Sequence, residues 1–324
     1  WSSLELSTQK SEIVMMGTLA QYQKVEEKLK EQPFDLPRLA EEMEDVIGSY
    51  SSFNALPWDG ESCQIMGILN VTPDSFYDGG DYDAAEKAVE RGVEMAEEGA
   101  DIIDIGGEST RPGSERISKQ KELERVVPVI EELSSQIDIP ISIDTYKPKV
   151  AEKAVEAGAD IVNDVFALRQ EGMPEKIAGL DVPVIMMHMQ GKPKDMQEDP
   201  SYEDVIGDIS SFFHERIEVA KKAGIEEEKI IIDPGIGFGK KLEHNLEILD
   251  RLDEFSSLGY PVLLGASRKS FLGEILGKKA DNRLYGSLAV AADAVEKGVS
   301  VLRVHDVKET KDVVQTMNSI SDQL

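Results

Sequence analysis

The sequence predicts an α/β protein whose main domain is a (β/α)8 TIM barrel, preceded by a small N-terminal extension that is helical or α/β. Short apolar runs alternate with longer amphipathic segments, in roughly eight units over about 255 residues, which is the length of such a barrel. Polar residues end almost every apolar run, and the ends of parallel strands form the functional face of a sheet. An open doubly wound sheet is the alternative, but it usually has fewer strands and a single switch point.

Eight apolar runs are predicted to be the strands of the barrel. They are rich in Val, Ile, Leu and Met, as expected for parallel strands that are buried on both faces. The runs lie at residues 65–72, 101–107, 140–145, 160–165, 183–188, 229–235, 261–269 and 300–306. The polar residues at or near their ends are Asn70, Glu108, Asp144, Asn163, Asp164, His188, Asp233, Ser267, Arg268, Lys269, Arg303, His305 and Asp306.

The segments between the runs are long enough for crossover helices and carry apolar residues at helical spacing. Such an alternation of strands and helices is the repeat that a (β/α)8 barrel requires. The predicted helices lie at 84–100, 121–136, 149–159, 202–224, 242–259, 269–277, 283–298 and 308–320.

Residues 1–64 are predicted to form the extension, and residues 65–324 the barrel. A short strand, EIVMMG, is expected before two amphipathic helices at 18–32 and 35–50, which are split at Pro33 and Pro37. We expect a small appendage packed on the outside or the bottom of the barrel, and a separate binding module is the alternative. The chain begins with Trp1 rather than Met, which leaves open whether it was cut from a longer protein.

The chain is strongly acidic, with 63 Asp and Glu against 35 Lys and Arg and a formal net charge of −28. This balance argues against nucleic acid or an anionic membrane as a partner. No apolar stretch has the length of a membrane span, and no signal-peptide pattern is present. The single cysteine, Cys63, cannot form an internal disulfide and is expected to be a small buried residue. This cysteine content fits a reducing compartment, so we expect a cytoplasmic protein.

Basic residues gather at the last two predicted strand ends. Arg268 and Lys269 follow the seventh strand, and Arg303 and His305 end the eighth. Barrels commonly bind phosphate at the loops after strands 7 and 8, and guanidinium groups bind phosphate oxygens through two parallel N–H groups. The pattern therefore predicts a diphosphate site. The alternative is that Arg268 or Arg303 closes an internal salt bridge.

Two carboxylates, Asp144 and Asp233, end predicted central strands. An unpaired carboxylate in such a place is strongly unfavourable, so each needs a hydrogen-bond donor. A ligand with an amidine-like N–H edge would satisfy them, and Asn163 could add one donor and one acceptor. The alternative is that they pair with Lys269 or with the arginines as internal scaffolding.

Other chemical signals in the sequence are weak. Residues 233–240, DPGIGFGK, match neither a P-loop nor a dinucleotide-binding loop. His188 is interpreted as a packed, hydrogen-bonded histidine. No cluster of His and Cys has the spacing of metal ligands, and no order of Ser, His and Asp indicates a catalytic triad. The residues therefore favour a reaction with a ready-made leaving group.

Eight motifs resemble those of the dihydropteroate synthase family, in the same order along the chain. They are GILNVTPDSF (67–76), DIGGESTRPG (104–113), SIDTYKP (142–148), IVNDV (161–165), MMHMQGKP (186–193), DPGIGFGK (233–240), GASRKSFLG (265–273) and RVHDV (303–307). Enzymes of this family join 6-hydroxymethyl-7,8-dihydropterin diphosphate to 4-aminobenzoate, which gives 7,8-dihydropteroate and diphosphate in folate biosynthesis. The resemblance implies the same fold, substrates and reaction here, with Mg²⁺ as a cofactor and a homodimer as the assembly.

The resemblance also implies roles for single residues. The residues that match the pterin-binding positions are Asp144, Asn163, Asp233 and Lys269. Asn70 matches a position associated with Mg²⁺ and diphosphate, and Arg303 and His305 match the anion site. The residues expected to hold 4-aminobenzoate are Thr110, Arg111 and Ser267, with Phe76 and Phe238 as aromatic walls. The residues expected to be catalytic are Lys269, Arg303 and Asp74, the last of which would stabilise the cationic pterin methylene.

Two other functions fit parts of the pattern. A pterin-dependent methyltransferase that acts with a corrinoid protein shares the barrel and the pterin carboxylates. It lacks the TPDSF and STRPG loops together with SRK and RVHD, all of which are present here. A non-catalytic pterin-binding homologue would be expected to lose Asn70, Lys269 or Arg303, and this chain keeps all three. Residues 166–170 and Lys192 depart from the usual family pattern, which leaves the role of the loop after the fourth strand open.

Overall fold

The computed structural model describes residues 62–72, 81–109, 116–191, 196–197 and 199–321, together with residues 25, 28–30, 32 and 36–40. The chain divides into two compact units, residues 1–50 and residues 51–324. In the first unit, the described residues 28–30 and 36–40 are helical and lie within the two predicted amphipathic segments. The division between residues 64 and 65 stays a prediction.

The second unit contains one sheet of eight parallel strands. The strands are β1 Gln64–Asn70, β2 Ile102–Gly106, β3 Ile141–Asp144, β4 Ile161–Asp164, β5 Val184–Met187, β6 Ile230–Asp233, β7 Leu263–Leu264 and β8 Val301–Val304. Their order in the sheet is β6-β5-β4-β3-β2-β1-β8-β7, and a parallel bridge between Ile232 and Val262 brings β6 next to the start of β7. The predicted (β/α)8 barrel is therefore confirmed, in a nearly closed form.

Helices follow the strands around the barrel. They are α1 Asp81–Glu97, α2 Lys119–Ser134, α3 Pro148–Glu156, α4 Met173–Leu180, α5 Val205–Ala223, α6 Leu242–Asp250, α7 Ser270–Leu276, α8 Leu284–Glu296 and α9 Val307–Ser321. Short 3-10 helices lie at Glu227–Lys229, Leu252–Leu258 and Ala280–Asn282. The sequence does not predict α4, because its 8 residues are too few for an amphipathic period to stand out.

Local signals set the ends of several helices. The Ser118 hydroxyl accepts a hydrogen bond from Lys121 N over 3.2 Å and so caps the first turn of α2. Helix α5 ends at Gly224, whose φ of 97° is a left-handed conformation that glycine adopts without strain. Both helices lie within about one turn of the predicted segments.

Inside the barrel, an apolar layer lies beneath the carboxyl ends of the strands. The layer consists of Met66, Ile102, Ile161, Ile185, Ile231, Leu263 and Val301, all fully buried. Because side chains alternate along a strand, the residues two positions later also point into the barrel. On β2, β4, β6 and β8 these residues are Asp104, Asn163, Asp233 and Arg303. The strand period therefore places a polar layer directly on the apolar one.

Two expectations drawn from composition can be compared with the structure. Among the described residues, no helix combines the length and the hydropathy that are needed to cross a membrane. Cys63 is buried, as predicted, and its burial raises the pKa of the thiol to about 12, with the charge of Asp101 adding to the effect. A thiol that stays buried and protonated is chemically inert.

Candidate active site

Arg303 lies inside the barrel near the carboxyl end of β8 and binds two carboxylates. Its Nε donates to Asp104 Oδ2 over 2.6 Å, and its Nη2 donates to Asp144 Oδ2 over 2.9 Å. Asn163 Nδ2 donates to the same Asp104 oxygen over 3.2 Å. Burial disfavours the Arg303 cation, but the two carboxylates outweigh this effect and raise its pKa. The salt bridge that the sequence leaves open as an alternative for Arg303 is therefore present.

A row of residues in register crosses the carboxyl ends of β1 to β4. The row consists of Asn70, Gly106, Asp144 and Asn163. Gly106 has no side chain, and a Cβ added there would lie 3.4 Å from Asn70 Oδ1 and 3.7 Å from Asp144 Cβ. The Asn70 amide and the Asp144 carboxylate therefore lie on either side of the same glycine. Burial raises the pKa of Asp144 to about 7, although the charge of Arg303 opposes this.

Asp233 at the end of β6 and Lys269 after β7 form a second charged group. Asp233 Oδ1 accepts a hydrogen bond from Gly235 N over 2.7 Å. Lys269 Nζ donates to Ile236 O and lies 4.6 Å from the centre of the Phe238 ring. Burial lowers the pKa of Lys269 to about 8 and raises the pKa of Asp233, and in each case the opposite charge of the other residue works against the shift. The two residues therefore attract each other, while their hydrogen bonds go to the backbone.

Ser267 and His305 are in contact, whereas Arg268 pairs elsewhere. His305 N donates to Ser267 Oγ over 3.2 Å, and His305 Nδ1 lies 3.1 Å from the same oxygen. Arg268 donates from Nε to Asp306 Oδ2 over 2.9 Å and from Nη2 to Asp306 Oδ1. Its backbone lies in the left-handed region, with a φ of 57°. For Arg268 the structure therefore has the salt-bridge alternative that the sequence leaves open.

The predicted cations at the ends of β7 and β8 do come together in part. A Cβ added at Gly265 would lie 3.8 Å from Lys269 Nζ and 3.8 Å from Arg303 Cβ, so both cations border this glycine. His305 lies just past the end of β8, two residues beyond Arg303, where it contacts Ser267. Lys269 and Arg303 therefore lie near each other, with the carboxylates of Asp104, Asp144 and Asp233 close to them.

Two buried residues that the sequence does not single out lie in or beside the site, Asp104 and Lys240. Asp104 is fully buried, and its Oδ1 and Ser142 Oγ are buried polar atoms without a hydrogen-bond partner among the described residues. The signal for Asp104 is the alternation along β2, which points it into the barrel. Lys240 is only 3% exposed, with its Nζ 2.9 Å from His188 Nδ1. No signal predicts this, because a lysine after a Gly-rich loop is usually solvated.

Some predicted site residues lie outside the described part of the chain, namely Asp74, Phe76, Thr110 and Arg111. Their roles stay predictions.

The described residues on either side of the segment 110–115 are joined by hydrogen bonds from Lys147. Lys147 Nζ donates to the Glu108 carboxylate before the segment and, over 3.0 Å, to Ile117 O after it. Ile117 N also donates to Glu108 Oε2 over 3.3 Å.

The residues 166–170, where the sequence departs from the family pattern, form a tight turn around Asp164. Asp164 Oδ1 accepts from Phe166 N and Oδ2 accepts from Leu168 N, each over 2.8 Å. Leu168 has a left-handed φ of 61°. The Phe166 ring packs against Tyr146, with 4.6 Å between the ring centres. The buried Asp164 carboxylate therefore holds this segment at the end of β4.

Known proteins resemble this chain over most of its length. Residues 66–305 match the family described as pterin binding enzyme. The chain is 47% identical to the dihydropteroate synthase of Haemophilus influenzae over 259 residues, which are 80% of this chain and 94% of that protein. It is 46% identical over 298 residues to the probable bifunctional folylpolyglutamate synthase/dihydropteroate synthase of Halobacterium salinarum. That match covers 91% of this chain but only 36% of the bifunctional protein.

A solved structure resembles the barrel just as closely. The crystal structure of the Yersinia pestis dihydropteroate synthase with a sulfonamide drug complex matches with a TM-score of 0.80 at 44% identity. The match covers 84% of this chain and 99% of that chain. The resemblance therefore extends over the whole of the barrel rather than over isolated motifs.

Proposed function

Because the chain belongs to the family of pterin-binding enzymes, we propose that it catalyses the dihydropteroate synthase reaction. It joins 6-hydroxymethyl-7,8-dihydropterin diphosphate to 4-aminobenzoate and releases diphosphate, a step of folate biosynthesis. The observation that carries the proposal is the Asp233 carboxylate, which is 4% exposed and has one backbone donor on Oδ1. A ligand with adjacent N–H groups completes the hydrogen bonds of such a carboxylate.

The pterin ring matches the polar layer in its donors and acceptors. Its amidine-like N–H edge donates to Asp233, and the neighbouring carbonyl accepts from the Lys269 ammonium. Asn163 supplies a further donor and acceptor beside Asp144. The support for this assignment is that Asp144, Asn163 and Asp233 are buried at strand ends, with the half-buried Lys269 following β7.

The departing diphosphate is stabilised by cations. As the bond between the pterin methylene and the diphosphate breaks, negative charge builds up on the leaving group. Arg303 uses two of its five N–H groups for Asp104 and Asp144, and the others are suited to diphosphate oxygens. His305 lies near the same end of β8. Preorganised cations of this kind lower the barrier because they act where the charge develops.

Mg²⁺ fits the position of Asn70 as an ion that the substrate helps to bind. Among the described residues, no group of three or more His, Cys, Asp or Glu could hold a metal. Mg²⁺ commonly takes few protein ligands and several oxygens from phosphate and water. Asn70 Oδ1, next to Gly106 and Asp144, offers one oxygen ligand. When bound there, Mg²⁺ neutralises charge on the diphosphate.

The reaction is a substitution at the pterin methylene. The bond from the methylene carbon to the diphosphate oxygen breaks with its electron pair. The amine nitrogen of 4-aminobenzoate forms a bond to the same carbon and then loses a proton, so no covalent enzyme intermediate is required. From the sequence resemblance we assign Asp74 to the cationic methylene. The residues that we assign to 4-aminobenzoate are Thr110, Arg111, Phe238 and Ser267.

We further propose a homodimer through the outer surfaces of α6, α7 and α8. These helices expose large apolar side chains, namely Leu246, Ile275, Leu276 and Tyr285. Helices α7 and α8 are in contact, since a Cβ added at Gly286 would lie 2.9 Å from Leu276 Cδ1. Large apolar side chains grouped on neighbouring surface helices are typical of an interface between identical subunits.

Two broader expectations also stay proposals. We propose that residues 65–324 form the barrel domain and residues 1–64 an extension, and the family match that begins at residue 66 supports this boundary. We propose a cytoplasmic location, supported by a single cysteine that is buried and unpaired.

The test of the proposed function is diphosphate release from the pterin diphosphate, measured with and without 4-aminobenzoate and Mg²⁺. We expect release to depend on both and to equal the dihydropteroate that is formed. A protein that binds the pterin in calorimetry but forms no dihydropteroate is a non-catalytic homologue. Transfer of a methyl group to a corrinoid protein, without diphosphate release, identifies the methyltransferase instead.

A further inference from the structure

The segment that joins β6 to α6, residues 234–239 and here called the β6 loop, is held by side-chain hydrogen bonds. Five consecutive backbone carbonyls accept from side chains, which is unusual because most backbone groups pair with other backbone groups. The donors are Lys240 Nζ for Gly235 O (2.9 Å) and Phe238 O (3.1 Å), Lys269 Nζ for Ile236 O, Gln197 Nε2 for Gly237 O (2.6 Å) and Tyr202 OH for Gly239 O (2.7 Å).

Lys240 makes the most contacts in this arrangement. Its third hydrogen bond goes to His188 Nδ1 over 2.9 Å, so all three ammonium protons have an acceptor. The His188 ring is itself fixed by Phe212, which it meets edge-on with 4.9 Å between the ring centres. Burial lowers the pKa of both Lys240 and His188. A buried ammonium is unfavourable unless it is hydrogen-bonded, and here all of its hydrogen bonds go to the β6 loop and to His188.

The β6 loop lies directly on the chain that follows β5. A Cβ added at Gly235 would lie 2.0 Å from His188 O, and one added at Gly239 would lie 2.4 Å from Gln190 O. Both glycines have left-handed φ values, 69° and 63°. The loop backbone is therefore packed closely against the chain that follows β5. The Lys240 ammonium bridges the Gly235 and Phe238 carbonyls near the two ends of the loop.

The β6 loop also determines where the Lys269 ammonium lies. Lys269 Nζ donates to Ile236 O and faces the Phe238 ring at 4.6 Å. Lys240 binds the carbonyl just before Ile236 and the carbonyl of Phe238 itself. A shift of either carbonyl would move one of the two groups that hold Lys269 beside Asp233.

We propose that Lys240 is a positioning residue for the pterin site, which acts by holding the β6 loop so that Ile236 O and Phe238 keep Lys269 in place. The proposal rests on the proposed function, because it assumes that Lys269 and Asp233 bind the pterin. Lys240 has no place among the groups that touch the substrate. Its effect reaches the ligand only through the loop.

The experiment compares Lys240→Met with Lys241→Met, the same change at the next residue. Lys241 is a matched control because its side chain is 41% exposed and its salt bridge to Asp199 lies at the surface. Pterin affinity is measured by calorimetry, and kcat/KM by dihydropteroate formation. For Lys240→Met we expect both to fall about tenfold or more, which is the effect of losing one well-oriented donor. For Lys241→Met we expect wild-type values.

A double-mutant cycle with Phe238→Leu separates positioning from a general loss of structure. If Lys240 acts through the β6 loop, the double variant binds pterin about as weakly as Lys240→Met alone, because the two changes interrupt the same contact. Independent effects that simply multiply would overturn the proposal. So would a Lys240→Met variant that binds pterin like Lys241→Met.

A milder pair of variants covers the case in which Lys240→Met does not fold. His188→Leu removes one acceptor of Lys240, whereas His188→Asn keeps an acceptor near the Nδ1 position. We expect reduced pterin affinity for His188→Leu and recovery for His188→Asn, and equal affinities would contradict the proposal. Calorimetry does not need turnover. A wild-type protein without turnover therefore counts against the proposed function, and the comparison of pterin affinities still decides the role of Lys240.

Discussion

The two sides of the barrel's carboxyl end neutralise their buried charges in different ways. On the Arg303 side, the guanidinium pairs directly with Asp104 and Asp144 over 2.6 and 2.9 Å. On the β6 side, Lys269 donates to a backbone carbonyl and Asp233 accepts from a backbone N–H. On the Arg303 side the charged groups therefore form ion pairs with one another. On the β6 side they form hydrogen bonds to backbone groups of the β6 loop.

The difference indicates which side is kept ready for a ligand. A carboxylate that is paired with a guanidinium has part of its hydrogen-bonding capacity filled, and separating the pair leaves a buried charge. Asp233 accepts from a backbone N–H and not from a guanidinium, so N–H groups of a ligand can bind it without displacing an ion pair. We infer that the β6 side binds the pterin most directly, while the Arg303 side fixes the polar layer and meets the diphosphate.

The largest expected effect on ligand binding is on the β6 side, at Asp233. In Asp233→Asn the size of the side chain is kept, but two charge-assisted hydrogen bonds to the pterin are weakened or lost, each worth about 1.5–3 kcal/mol. We expect pterin affinity to fall about a hundredfold or more. Calorimetry measures this, with the exposed Asp253→Asn as the control. Affinity within threefold of wild type would falsify the assignment and make Asp233 part of the scaffold.

The next effect concerns stability and is expected mainly on the Arg303 side. Arg303→Met leaves Asp104 and Asp144 buried without their cation, which typically costs about 3–5 kcal/mol. Lys269→Met removes an ammonium whose hydrogen bond goes to a neutral carbonyl and which attracts Asp233 without a direct salt bridge, so we expect less than half of that loss. Urea unfolding near neutral pH gives both free energies. Equal losses for the two variants would remove the distinction between the two sides.

The fold is predictable from the sequence because its signals are local and repeated. Each strand is a short apolar run, and each long helix has an amphipathic period, so the barrel follows from counting them. The exceptions have physical reasons. Helix α4 is too short to show a period. Strand β7 is only 2 residues long, Leu263–Leu264, although the run predicted for it covers residues 261–269.

The site is predictable only where residue type and strand position agree. Asp144, Asn163 and Asp233 lie at or next to the ends of their strands and are buried in the site, with Asn163 and Asp233 in the polar layer and Asp144 in register with Asn163. Arg268 and Arg303 follow the same sequence pattern, but Arg303 continues the inward alternation of β8, whereas Arg268 lies past the end of β7 with a left-handed φ of 57°. Which cation turns inward depends on backbone geometry that residue types do not encode.

Lys240 shows a second limit of prediction from the sequence. Its three partners are a histidine on another strand end and two carbonyls of its own loop. None of these contacts follows from composition or spacing, because each depends on how the β6 loop packs against the chain after β5. Tertiary packing, rather than local propensity, decides that this lysine is buried.

The smallest expected effect is on the pH dependence of kcat/KM, which tests whether the Lys269 ammonium on the β6 side acts on the pterin. Burial lowers the pKa of Lys269 to about 8, so the ammonium is present below that pH and is lost as the pH rises through it. Because kcat/KM reports the free enzyme, we expect it to fall about tenfold per pH unit well above pH 8. Lys269→Arg stays charged over this range and should give a flatter profile at a lower level. Titration of the substrates is common to both proteins and cancels in the comparison. A wild-type profile that runs parallel to that of Lys269→Arg up to pH 9.5 would mean that the Lys269 ammonium does not act on the pterin, and the positive charge at the site would then come from the Arg303 side alone.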